Sequence, residues 1–143
     1  MNILVGIDFG ESSPVITQAA AMLARGLKAK IWLVHVAEPD PEFVGYEADS
    51  TPMRDVVAKR YHAEHRDLQA IAQGLRDEGL DCVGLLVQGA TVATLLHEAA
   101  NIAADMIVVG SHGKGVLKRL LIGSTSEGVL HHANVPVYVV PTR

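Results

Sequence analysis

The sequence holds one cysteine, Cys82, among 143 residues. A single thiol cannot make an internal disulfide or a cysteine-based zinc cluster, and it fits a reducing compartment. Aromatic residues are as sparse, at 4%, although hydrophobic residues reach 49%. The core is therefore expected to be aliphatic, built from Val, Leu, Ile and Ala. There is no basic surplus: 12 Lys and Arg stand against 16 Asp and Glu, a net charge of -4. General nucleic-acid binding needs a basic footprint and is not expected, whereas a single nucleotide needs only local donors. No run is apolar and long enough to span a bilayer, since Val15 to Leu27 is cut by Gln18 and Arg25. The start, Met-Asn-Ile-Leu-Val-Gly-Ile-Asp, has no basic n-region and no small-residue cleavage site, so it does not read as a signal peptide. A cytoplasmic protein without membrane contact is the expectation, as one domain over residues 1–143.

What is present alternates between two periodicities. Ile3–Ile7, Lys30–Val36, Cys82–Val87, Met106–Val109 and Val135–Val140 are short apolar runs rich in β-branched residues, and they read as strands. Between them lie helical patterns. Ser13 reads as a cap with Pro14 at the first helical position, followed by Val15, Ile16, Ala19, Ala20, Leu23 and Leu27 and a stop at Gly26. A long helix opens at Pro52 and runs to about Glu78, with Met53, Val57, Tyr61, Leu68, Ile71 and Leu75 on its buried face. A third covers Val92–Ala104, with Leu95, Leu96, Ala99 and Ile102 facing inward, and a fourth runs from about Thr125 to His132. Glu38 to Thr51, with two prolines and little periodicity, reads as a loop. Strands with continuous apolar runs are covered on both faces, so the sheet is expected to be parallel and doubly wound, an α/β fold of five strands in the order 3-2-1-4-5. In that order the topological switch falls between strands one and four. Ligands of such sheets sit at the carboxyl ends of the strands there. The loops concerned are Asp8–Ser13 and Gly110–Ser126.

The second of these loops carries the chemistry. Gly110, Gly113 and Gly115 follow the fourth strand directly, where missing Cβ atoms let backbone amides approach a ligand. Gly123 precedes a helix, and Ser124 with Glu127 three residues on is a capping-box pattern. The first-turn amides near Thr125 and Ser126 form an anion site, and hydroxyls cluster at Ser124, Thr125 and Ser126. Phosphate is the anion that suits these donors. No Gly-x-x-x-x-Gly-Lys-Ser/Thr occurs, and no Gly-x-Gly-x-x-Gly follows the first strand, so neither a P-loop nor a dinucleotide fingerprint is present.

Gly110-x-x-Gly113, nine further residues, then Gly123-Ser124 resembles the ATP-binding signature of the universal stress protein family. The similarity continues through Ser126-Glu127 and Val135-Pro136-Val137, and it extends to Ile3–Asp8, Leu33-Val34-His35-Val36 and Gly89. The resemblance implies an adenine-nucleotide α-hydrolase-like fold, a homodimer, a regulatory role in stress survival, and bound ATP with Mg or Mn held through the phosphates. By position it implies Asp8 on the adenine or ribose side and Val34 lining the adenine pocket. Gly110, His112, Gly113, Gly123, Ser124, Thr125 and Ser126 would meet ribose and phosphates. Two positions depart from the family pattern: Gly10 stands where a serine is frequent, and Thr125 where valine is common.

The remaining polar groups read more plainly. His35 is expected to be a hydrogen-bonded core histidine, and His62 and His65 surface residues. His131 and His132 suit the dipole and free carbonyls at a helix end. No protein-only metal site is expected. Lys114, Lys118 and Arg119 make the loop locally basic, either for phosphate or as a solvated surface. The apolar strand Val135–Val140 would lie at the sheet's edge, where pairing with a second copy would bury it. No catalytic pair or triad is forced by spacing, so the expectation is a nucleotide-binding regulator with at most slow ATP hydrolysis. Two alternatives stay open. One is a hydrolase or a nucleotidyl or phosphoryl transferase using Glu42, Glu47 or Asp49; the other is a dimerisation scaffold without nucleotide.

Overall fold

A computed structural model of the chain describes residues 1–37, 51–111 and 124–142, with side chains from residue 56 onward in the middle segment. In chain order the elements are β1 (Asn2–Gly6), α1 (Ser13–Leu27), β2 (Lys30–Ala37), α2 (Thr51–Asp77), β3 (Cys82–Gln88), α3 (Thr91–Asn101), β4 (Met106–Gly110), α4 (Ser124–His132) and β5 (Val137–Val140). The five strands form one sheet in the order β3-β2-β1-β4-β5, and every pairing is parallel. This is the expected doubly wound fold, with the switch between β1 and β4.

Each strand feeds two cores because successive side chains point to opposite faces. Ile3, Val5, Ile31, Leu33 and Val108 pack with Ile16 and Ala20 of α1 and Leu68 and Leu75 of α2. Leu4, Val34, Val36, Ile107 and Val109 pack with Leu95 and Ala99 of α3 and Val129 of α4. Every such residue is nearly or fully buried, and full burial of a side chain of this size stabilises by about 1.5–3 kcal/mol. Val57, expected on the buried face of α2, is instead 41% exposed; that face is set by Leu68, Ala72 and Leu75 further along the helix. Met53 falls where side chains are not described.

Helix ends differ from their sequence reading in ways that backbone geometry explains. Ser12, not Ser13, takes the cap position of α1, in helical geometry and without a side-chain cap bond. Gly26 does not stop the helix; Lys28 does, in the left-handed conformation at φ 53°. α3 ends at Asn101, earlier than Ala104, and Ala103 turns the chain at φ 51°. The last strand starts at Val137, while Val135 still packs on the second core. Gly128 lets α4 meet α3: a Cβ there would lie 2.8 Å from Val92 Cγ2.

The two sheet edges are treated differently. β3 is one edge, and β2 bonds only its alternate residues. The outward carbonyls of Cys82, Gly84 and Leu86 are each taken by a side chain of α2. Arg76 Nη1 donates to Cys82 at 2.8 Å, Gln69 Nε2 to Gly84 at 3.1 Å, and Tyr61 Oη to Leu86 at 3.3 Å. Residues seven and eight apart on a helix share one face, which is why this set can follow the strand. At the other edge Pro136 and Val140 turn their carbonyls toward β4. Among the described residues no side chain bonds the outward carbonyls of Val137 and Val139.

Candidate functional site

β1 and β4 are neighbours, with Val5 opposite Val108, so the chain leaves both strands side by side at the switch point. After β1 it turns sharply through Asp8, Phe9 and Gly10. The Gly10 amide donates to Asp8 Oδ1 at 2.9 Å, a turn that a short carboxylate closes on its own backbone. Phe9 sits at φ 60°, a conformation that L residues rarely adopt. The Gly10 carbonyl then accepts from Ser13 N as α1 begins. Ser13 Oγ, in the first turn of α1, is buried and has no hydrogen-bond partner among the described residues. A buried hydroxyl in that state is destabilising by itself.

At the end of β4 the backbone is crowded rather than strained. A Cβ on Gly110 would lie 2.7 Å from Ile16 Cδ1 and 3.4 Å from Thr142 Cγ2, so glycine there admits α1 and the segment after β5. Ser111 N donates to the Val140 carbonyl at 2.8 Å, and Thr142 N donates to Ser111 Oγ at 2.9 Å. Both hydroxyl side chains are buried. Ser126 Oγ donates to the Gly110 carbonyl, which ties the first turn of α4 to the end of β4. Of the three clustered hydroxyl residues, Ser126 is therefore buried in a protein bond, Thr125 is half-buried and Ser124 is exposed. The structure thus brings together Asp8, Gly110 and Ser126 around the switch point. His112, Gly113 and Gly123 lie outside the described residues, as do Lys114, Lys118 and Arg119.

Val34 is at 0% exposure, inside the second core and level with Gly6 of β1. Val36, two residues on and on the same face, is 8% exposed and nearer the carboxyl end of the sheet. β2 continues to Ala37, one residue beyond its expected end at Val36. His35 is a buried, bonded histidine as expected: its Nδ1 lies 2.8 Å from the Ile7 carbonyl, which can only accept, so Nδ1 carries the hydrogen. His132 Nδ1 likewise donates to Gly128 O at 3.0 Å near the end of α4, while His131 is exposed beside Glu127. His65 meets Gln69 on the surface of α2, and His62 is exposed. Among the described residues no cluster of His, Cys, Asp and Glu could hold a metal ion, and no helix is long and apolar enough to cross a membrane.

The fold is that of a doubly wound parallel α/β protein whose topological switch lies between β1 and β4. A model of the universal stress protein family matches residues 1–141, and the chain belongs to that family. It is 35% identical over 142 residues to a universal stress protein of Mycolicibacterium smegmatis, covering 97% of this chain and 47% of that protein. The chain thus spans about half the length of that relative. Among solved structures, protein MJ0577 of Methanocaldococcus jannaschii superposes with a TM-score of 0.82 at 25% identity, over 99% of this chain and 96% of that one. A universal stress protein from Archaeoglobus fulgidus in complex with dAMP shares the fold, with a TM-score of 0.68 at 20% identity over 98% and 97% of the two chains.

Proposed function

We propose that this chain is a regulatory module that binds an adenine nucleotide, acting in the cytoplasm as a homodimer in a stress response. The ligand is ATP, with Mg or Mn held by its phosphates and by water. One observation carries the reading: the ends of β1 and β4 emerge together, one carrying the Asp8 turn and the other Gly110 tied to the first turn of α4. The helix start offers amides to phosphate, and Asp8 offers a carboxylate to an adenine amino or ribose hydroxyl. The Archaeoglobus fulgidus relative holds dAMP, and this supports an adenine nucleotide as the ligand class. The forces suffice: bonds to a charged phosphate contribute roughly 1.5–3 kcal/mol each, against about 8 kcal/mol for micromolar binding. The dimer reading is supported by the β5 edge, whose outward backbone suits a second copy.

Mass spectrometry of small molecules released from the purified protein tests the ligand. Adenine nucleotide should co-purify, and less of it after Gly113→Ala or Gly123→Val. Unchanged retention in both variants overturns the assignment. Calorimetry with ATP, with and without magnesium, tests the metal. Sustained ATP turnover that disappears on substitution of Glu42, Glu47 or Asp49 would make the protein an enzyme instead.

A further inference from the structure

His35 lies one strand away from Asp8, yet it holds the chain on both sides of that residue. Before Asp8, its Nδ1–H donates to the Ile7 carbonyl at 2.8 Å. After Asp8, its ring packs on Phe9, with centroids 4.3 Å apart and planes 42° apart. Phe9 is the residue in left-handed geometry, which a bulky L residue keeps only where its surroundings enforce it. Ile7 is held a second time, since its N–H donates to the Val34 carbonyl at 3.0 Å, so the turn is pinned at its root from β2. Behind the imidazole stands α2: Glu64 Oε2 lies 3.7 Å from His35 Nε2, and Arg60 Nε lies 3.5 Å from the other Glu64 oxygen. The side chain of His35 is 11% exposed and that of Glu64 22%, so the pair is largely shielded from water.

We propose that His35 is a positioning residue for nucleotide binding: it clamps Ile7 and Phe9 so that the Asp8 carboxylate is aimed before ligand arrives, with Glu64 bracing the imidazole from α2. This rests on the reading of Asp8 as a nucleotide contact. A carboxylate on a free turn would have to be ordered at the moment of binding, and that ordering weakens affinity; a clamped one avoids the loss. The arrangement also connects the cleft to the outer helix α2 through Asp8, His35, Glu64 and Arg60.

Two measurements on the full chain test this. The first is amide hydrogen exchange at Gly10 without nucleotide, because its N–H reports the closed Asp8 turn. His35→Leu should speed that exchange, and His35→Asn, which keeps an N–H for the Ile7 carbonyl, should restore much of the protection. The second is calorimetric affinity for ATP and for inorganic tripolyphosphate. His35→Leu should weaken ATP about tenfold and leave tripolyphosphate within about twofold, since the phosphates do not meet Asp8. Combined with Asp8→Asn, it should cost no more than Asp8→Asn alone, because the two act as one unit. Glu64→Gln should weaken ATP about threefold and serves if His35→Leu does not fold. Unaltered Gly10 exchange, equal loss for both ligands, or fully additive losses would overturn the clamp. If the wild-type chain binds no ATP while Gly10 exchange still responds, the nucleotide reading falls and the clamp on the turn stands.

Discussion

The two edges of this sheet show two ways of handling unpaired strand backbone. Along β3, Tyr61, Gln69 and Arg76 of α2 occupy three successive outward carbonyls. Along β5, no described side chain does the same, and Tyr138 lies 37% exposed. An edge bonded by its own helix cannot template another strand, while one left open can. Among the described residues the contrast leaves β5 as the edge that the proposed dimer would use.

The largest effect should come from forcing α2 off its strand. A Cβ on Gly84 would already stand 3.2 Å from Gln69 Nε2 and 3.3 Å from Leu68 Cγ. Gly84→Val should therefore lower unfolding free energy by about 3 kcal/mol in urea titrations, and it should promote aggregation by baring the edge. An unchanged midpoint would mean that α2 does not seal β3.

Next comes the alkaline response of Cys82, the first residue of the sealed strand. Burial pushes its thiol up from 9.0 to about 11, opposed by the Arg76 guanidinium and reinforced by Asp81. The folded chain keeps the thiol protonated where the unfolded chain ionises it. Stability is thus intact below pH 9.0 and falls until about 11. The loss amounts to about 2 kcal/mol. Cys82→Ala should flatten that fall, and urea midpoints at several pH values between 8 and 11 would show it. The protonated, buried thiol should also resist alkylation at neutral pH.

Removing one bond from the sealed edge is milder. Gln69→Ala should cost about 1 kcal/mol, the net value of a hydrogen bond of this kind. The smallest effect on folding belongs to the open edge, where Tyr138→Lys should change protomer stability by no more than about 0.5 kcal/mol. Its consequence should appear in assembly, with sedimentation moving from dimer to monomer. Retention of the dimer would place the contact elsewhere.

Much of the fold could be read from apolar runs: all five strands showed in their length and β-branched content, and the order assumed for such a parallel sheet is the one observed, with its switch between β1 and β4. The end of β4 was only half legible. Glycine at 110 and the hydroxyl residues after it signalled a close approach, but not that Gly110 makes room for Ile16 or that Ser126 bonds the Gly110 carbonyl. Those reasons join residues far apart in the chain, and no local pattern encodes them. The seal on β3 was hidden for a similar reason, since Gln69 and Arg76 look like ordinary surface residues until the strand beside them is known. His35 was legible as a buried, bonded histidine, but its partner, the Ile7 carbonyl, was not.

The contact at Gly128 has a mechanical meaning. With Val92 filling the space of a missing side chain, α3 and α4 interlock like meshed teeth, and neither can slide along the other without collision. A force applied to the first turn of α4 would therefore be carried by both helices as one block, and through Leu95 and Ala99 into the same face of the sheet that holds Val34 and Val36.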